Sequence, residues 1–250
     1  MTEEKILVAN WKTYINNYHA INSLTKKIKN QLIPNSINLI LCLPFIYLQH
    51  SVNALKNTKI NIGSQNISSY EGNTNTGETL ASMISDLGCR YSIIGHSETR
   101  EIYRESIKSI TLKIKIALKY NITPIICVGE NLHSRQEGTY ITLLTNQISE
   151  FVAPLNDCDK GKLIIAYEPI WSINTCKIPS NYQIEEVIKN FKSIQGLQGS
   201  KFIYGGSINT QNINEIVKTK FLDGLLVGKA STTITTLTNI YSKLLQSDNL

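Results

Sequence analysis

The sequence predicts an α/β fold, a single closed (β/α)8 barrel with one parallel eight-stranded sheet inside and helices outside. Three observations carry that expectation. Short apolar runs alternate with longer amphipathic stretches along all 250 residues, with no linker or low-complexity segment between them. About eight strand–helix units can be read, and right-handed crossovers return each strand to the same direction, so the strands pair in parallel. The length also suits one such barrel, which makes residues 1–250 a single domain. An open doubly wound sheet is the alternative. No Gly-x-Gly-x-x-Gly follows the first strand, which weighs against its dinucleotide-binding version.

The elements follow in order. The run Ile6-Leu7-Val8-Ala9 is the first strand, and an amphipathic helix at 20–31 follows it. The second strand, 39–43, is an apolar run holding Cys42, with a helix at 45–55. The third, 60–63, leads into a long polar, glycine-bearing loop before a helix at 81–87. Strand 91–94 precedes a helix at 106–119, and strand 124–128, which holds Cys127, precedes one at 140–151. The sixth strand, 163–166, is apolar without alternation, as a strand buried on both faces is, and its helix waits until 180–193. Strands 202–204 and 224–227, with helices 212–219 and 232–245, complete the set.

Composition narrows the function classes. Hydrophobic residues make up 42% of the chain and charged residues 18%, enough for a sizeable core. No apolar run reaches the roughly 18 residues of a membrane span. The start, Met1-Thr2-Glu3-Glu4-Lys5, is acidic and runs straight into a strand, unlike a targeting peptide. The five cysteines are scattered without metal-ligand spacing, which points to a reducing, cytoplasmic setting and no metal. The net charge is +6. Its lysines, such as Lys26, Lys27, Lys29, Lys113, Lys115 and Lys119, are spread along helical stretches and read mostly as solvated faces. A nucleic-acid role would rest on net charge alone and is set aside.

Polar or glycine residues follow directly after several strands, and parallel strands would gather them at one end, where barrels of this kind carry their chemistry. After the first comes Asn10-Trp11-Lys12, whose lysine alone would read as a surface residue but for the tryptophan wedged beside it. After the fourth comes Gly95-His96-Ser97-Glu98-Thr99-Arg100. A histidine there meets backbone N–H groups, which disfavour imidazolium, while Glu98 could equally be a helix-start acid. After the sixth comes Glu168-Pro169-Ile170-Trp171, and the loop runs on to Pro179. A segment stiff at both ends and polar between them suits a hinged lid. Tyr204-Gly205-Gly206-Ser207 and Val227-Gly228-Lys229-Ala230-Ser231 follow the last two strands, where glycines let backbone N–H groups approach an anion such as phosphate.

With these residues together, the chain resembles the triosephosphate isomerases. The match runs from Asn10 to Ser231 in the family's order: Asn-x-Lys, Gly-His-Ser-Glu, Ala-Tyr-Glu-Pro-x-Trp, Tyr-Gly-Gly-Ser and Asp223-Gly224 through Gly228. The resemblance implies a TIM barrel that interconverts dihydroxyacetone phosphate and D-glyceraldehyde 3-phosphate in glycolysis and gluconeogenesis, with no cofactor. It implies Glu168 as base, His96 as electrophile and Lys12 as electrostatic stabiliser, with Asn10 and Lys12 binding substrate and Asn10 helping to hold the intermediate. Asn174, Ser207, Gly228 and Lys229 would hold the phosphate, Glu98 would orient the network, and Tyr204 and Ser207 would bind the closed lid. It also implies a homodimer in which the loop 65–78 enters the partner, bringing Thr76 to the partner's Lys12 region. Such a loop needs a reason inside a compact domain.

The chain departs from the family pattern in places. Asn174, Cys176 and Lys229 stand where the family usually has glycine, and the lid ends in Lys177-Ile178-Pro179. Thr99 replaces the first of two arginines that normally support the inserted loop, and the loop tip Asn73-Thr74-Asn75 lacks the usual aromatic. Two other classes compete: a barrel that binds phosphate without turnover, and a different barrel enzyme acting on phosphorylated sugars or indoles. The first would be expected to lose Lys12, His96 or Glu168, and the second would lack the full motif set.

Overall fold

A computed structural model describes residues 4–32, 37–173, 175 and 177–247. Eight strands, β1 (Lys5–Asn10), β2 (Ile37–Leu43), β3 (Asn61–Ser64), β4 (Tyr91–Ile94), β5 (Thr123–Val128), β6 (Ile164–Tyr167), β7 (Lys201–Tyr204) and β8 (Gly224–Val227), form one closed barrel in sequential order. Every neighbouring pair is parallel, and β8 closes on β1 with Ile6 opposite Gly224 and Ala9 opposite Val227. The open-sheet alternative is therefore excluded. All strand C-termini meet at one rim.

The helices outside the strands are α1 (Tyr18–Gln31), α2 (Phe45–Ala54), α3 (Ala81–Asp86), α4 (Ser97–Ile102), α5 (Ile107–Lys119), α6 (Leu132–Gln136), α7 (Tyr140–Val152), α8 (Asp157–Lys160), α9 (Asn181–Ser193), α10 (Ile213–Ile216) and α11 (Ile234–Gln246). Three of them, α4, α6 and α8, lie where the hydrophobic pattern predicted loop. Each is four to six residues long, too short to show a period, and each is started by a side-chain cap: His96, Asn131 and Asn156. The long helix expected at 212–219 contracts to the single turn of α10. At α9 the start is sharp because Ser180 and Gln183 form a reciprocal capping box.

Two apolar layers hold the barrel. Inside, side chains such as Val8, Ile40, Ile93, Ile125, Ile164, Ile203 and Leu226 fill the axis. The opposite faces of the same strands pack with the helices through residues such as Leu7, Leu39, Ile126, Ile165 and Phe202. With both faces covered, the strands have no reason to alternate in polarity. One lysine departs from the solvated-face expectation. Lys113 on α5 is buried and pairs with the Glu105 carboxylate. Its ammonium also donates to Asn66 Oδ1 at 2.9 Å, at the base of the loop after β3.

Cys42, Cys89 and Cys127 are buried free thiols and Cys158 is exposed; Cys176 lies outside the described residues. Burial pushes the Cys89 thiol from its ordinary value of 9.0 up to about 11. Its folded pKa is raised, so its neutral form contributes stability that is fully present below about pH 9 and is lost as pH rises toward 11. The urea midpoint should fall across that window, and Cys89→Ala should flatten the fall. In parallel, iodoacetamide at pH 8 should modify Cys158 in the folded protein and spare Cys42, Cys89 and Cys127, as peptide mass spectrometry would record.

Candidate active site

At the rim, the end of β1 carries Asn10 and Lys12. Lys12 has a left-handed backbone, φ +45°, unusual for a residue with a side chain and costing of order 1 kcal/mol. Two side chains hold it there. Lys12 N–H donates to Asn10 Oδ1 at 3.2 Å, and Gln65 Nε2 donates to the Lys12 carbonyl at 3.1 Å. The lysine side chain then crosses to Glu98, with Nζ 2.6 Å from Oε1.

The end of β4 turns into α4 through His96, which is buried and caps that helix: Glu98 N–H donates to His96 Nδ1 at 3.1 Å. A ring nitrogen that accepts a hydrogen bond carries no proton, so the proton of this imidazole is on Nε2. Nε2 lies 3.5 Å from Glu168 Oε2. Both atoms are fully buried, and neither has a hydrogen-bond partner among the described residues.

Glu168 follows β6, its N–H donating to the Val128 carbonyl at 2.8 Å. Its side chain lies against Gly205, where a Cβ would fall 2.7 Å from Glu168 Cγ. The glycine after β7 is thus the space that the carboxylate occupies. Other acids of the rim have cations: Glu98 has Lys12, Glu105 has Lys113, and Glu130 has Arg135. Among the described residues, Glu168 has no lysine or arginine within ion-pair distance. A cleft of about 440 Å³ opens over it, lined by Lys12, Glu168, Gly205, Ser207, Gly228 and Lys229 among others. Such an arrangement, an unpaired buried carboxylate beside an N–H donor with an ammonium across the cleft, can move a proton from carbon while a developing oxyanion is held.

The comparisons with known proteins agree on one family. A family profile described as Triosephosphate isomerase matches residues 5–244. The chain belongs to the triosephosphate isomerase family. The triosephosphate isomerase of Mycoplasma capricolum is 37% identical over 235 residues, covering 91% of this chain and 94% of that protein. The corresponding figures are 35%, 92% and 95% for the triosephosphate isomerase of Porphyromonas gingivalis, and 33%, 92% and 93% for that of Rhodococcus jostii. As a member of the triosephosphate isomerase family, the chain is an isomerase.

Other candidates of this isomerase are placed as follows. Ser207, with φ +46°, donates its hydroxyl to the Ser172 carbonyl in the loop after β6. Tyr204 is buried, which pushes its phenol well up. Gly228 lies beside Lys12, and the exposed Lys229 begins a 3-10 turn, Lys229–Ser231. Asn174 lies outside the described residues. Thr76 is exposed on the loop after β3. At the substituted position, Thr99 Oγ1 donates to Glu105 Oε2 at 2.9 Å, so Glu105 is held by Thr99 and Lys113 together.

Sequence reasoning missed the cluster that holds the start of the loop after β6. Glu130, two residues past β5, is fully buried. Its Oε1 accepts from Trp171 Nε1 at 2.9 Å and from the Tyr167 hydroxyl at 3.1 Å, and Arg135 Nε is 3.1 Å away. The Arg135 guanidinium lies 3.9 Å over the centre of the Tyr140 ring and donates to the Tyr167 hydroxyl. Burial, then the Glu130 charge, pushes the Tyr167 phenol well up, so it remains a donor. The available signal was Gly129-Glu130 in the strand-end position of the other motifs.

Breaking this pair from one side would leave a buried carboxylate uncompensated. Arg135→Met should therefore lower the unfolding free energy by about 3–5 kcal/mol. Adding Glu130→Gln to it should restore part of the loss, and urea unfolding of the two variants measures both effects.

Proposed function

We propose that the chain interconverts dihydroxyacetone phosphate and D-glyceraldehyde 3-phosphate through an enediolate, as one catalytic domain over residues 1–250 and without a cofactor. The observation that carries this reading is the pair Glu168 Oε2 and His96 Nε2, buried 3.5 Å apart with no hydrogen-bond partner for either among the described residues. Glu168 takes the proton from C1 of the ketose, and its electrons move through C1 and C2 onto the carbonyl oxygen. The His96 Nε2–H polarises that oxygen and then moves protons between the two oxygens of the intermediate. Glu168 returns its proton to C2, leaving the aldehyde at C1.

Lys12 offsets the charge of the intermediate, and Asn10 keeps the Lys12 backbone in its strained form. Glu98 orients the lysine. Backbone N–H groups of Asn174, Ser207, Gly228 and Lys229 hold the phosphate, a task that asks for close main-chain approach rather than particular side chains. The lid from Pro169 to Pro179 closes over the substrate, with Tyr204 and Ser207 as its docking points. Closure keeps water from an intermediate that otherwise expels phosphate.

The same reading includes a homodimer in the cytoplasm, joined through the loop 65–78, with Thr76 reaching the partner's Lys12. In support, a second cleft of about 630 Å³ is lined by Phe45, Gln65, Thr99, Tyr103 and Lys113 among others. Tyr103 at its edge is 75% exposed, a large apolar surface to leave in water. Tyr70, 59% exposed, stands a few residues before the tip that lacks an aromatic.

A coupled assay of glyceraldehyde 3-phosphate isomerisation tests the chemistry. Glu168→Asp withdraws the carboxylate by one methylene and should lower kcat by about 10²-fold or more. Lys12→Ala should cost a similar factor, about 10²–10³. Both variants should keep the wild-type circular dichroism, and a near-native rate in either would refute the assigned roles. Run over a dilution series, the same assay reads the dimer, whose loss should lower turnover per subunit.

A further inference from the structure

We infer that Gln147 is a positioning residue for Glu168, acting through the backbone of Gly129; this rests on the reading of Glu168 as the base. β4 stops at Ile94, opposite Ile126 of β5, and the chain then turns away at Gly95 into α4. β5 continues past that point alongside β6, and the pairing extends beyond the strands: Glu168 N–H donates to the Val128 carbonyl and Ile170 N–H to the Glu130 carbonyl. Peptide groups along a strand face alternate sides, so between these two, Gly129 presents its N–H and C=O toward the side that β4 has left.

A side-chain amide takes the missing strand's place. Gly129 N–H donates to Gln147 Oε1 at 3.3 Å, and Gln147 Nε2 donates to the Gly129 carbonyl at 3.2 Å. Gln147 thus pairs with Gly129 as a peptide unit of a neighbouring strand would. Its Oε1 also accepts from Arg100 Nη1 at 3.5 Å, which ties it to α4, the helix that His96 caps.

Gly129 is pressed against the backbone of Glu168: a Cβ on it would lie 1.9 Å from the Glu168 carbonyl oxygen. With no room for even a methyl group between the two backbones, a shift of Gly129 toward Glu168 displaces it. The Gln147 amide on α7 therefore holds the main chain beneath the carboxylate and joins it to the helix behind His96. Gln147 is half-buried and outside the cleft, so it touches no reacting atom.

The test compares wild type, Gln147→Met and Gln147→Glu. Methionine keeps the length and removes both hydrogen bonds; the carboxylate keeps the acceptor for Gly129 N–H and loses the donor to its carbonyl. Misplacing the base should lower kcat by roughly tenfold or more in Gln147→Met, and by less in Gln147→Glu. KM and the competitive inhibition constant of inorganic phosphate should stay within about twofold of wild type, because the phosphate loops are untouched. Variants that lose thermal stability but keep kcat would overturn the inference, since a purely structural role predicts that split. A rise in KM or in the phosphate constant at unchanged kcat would overturn it too. Should Gln147→Met fail to fold, Gln147→Glu decides alone, with a threefold or greater fall in kcat expected and an unchanged kcat refuting. A wild-type chain without turnover would instead overturn the functional reading, and this inference with it.

Discussion

Closure of the parallel ladder between β8 and β1 is the constraint on which everything else rests. Parallel pairing around a full circle leaves no edge, and it gives all eight strands one direction. Residues from positions 10 to 229 of the chain therefore arrive at one rim. No local preference could bring Lys12, His96 and Glu168 together, since each is more than seventy residues from the next. The two apolar layers make that closure favourable, because every strand is covered inside by the axis residues and outside by helices.

Charge compensation is the second constraint. The rim holds several carboxylates in partly or wholly buried places, where an uncompensated charge is costly. Glu98, Glu105 and Glu130 each have a cation in contact. Glu130 also gathers Trp171 and Tyr167, which ties the start of the loop after β6 to the end of β5. Glu168 stands apart, buried next to a histidine whose Nδ1 is already engaged by a backbone N–H. Among the described residues it has no lysine or arginine in ion-pair contact, and it faces the cleft.

Much of the site was legible because its residues sit at strand ends, and strand ends can be found from apolar runs. Asn10, Lys12, His96, Glu98, Glu168, Tyr204 and Ser207 were reached in this way. Glu130 and Arg135 were not, since a buried acid and a buried base read in sequence like any surface pair. Lys113 was assigned to a solvated face for the same reason: helical spacing is blind to Glu105 and Asn66, which make burial of an ammonium tolerable. The short helices α4, α6 and α8 escaped because a turn or so of helix has no measurable period, and only its cap betrays it. Thr99 stands where the family pattern has arginine, and its hydroxyl contact to Glu105 could not be read from the sequence.

By itself the sequence determined the barrel, the order of its strands and the strand-end residues of the site. Those depend on patterns within a few tens of residues and on a family's recurrent motifs. Only the tertiary structure decided which charges are paired, which nitrogen of His96 bears the proton, and that a glutamine on α7 completes the pairing of Gly129. The physical reason is that hydrogen bonds and ion pairs act over about 3 Å in space, between atoms whose separation along the chain carries no record of their contact.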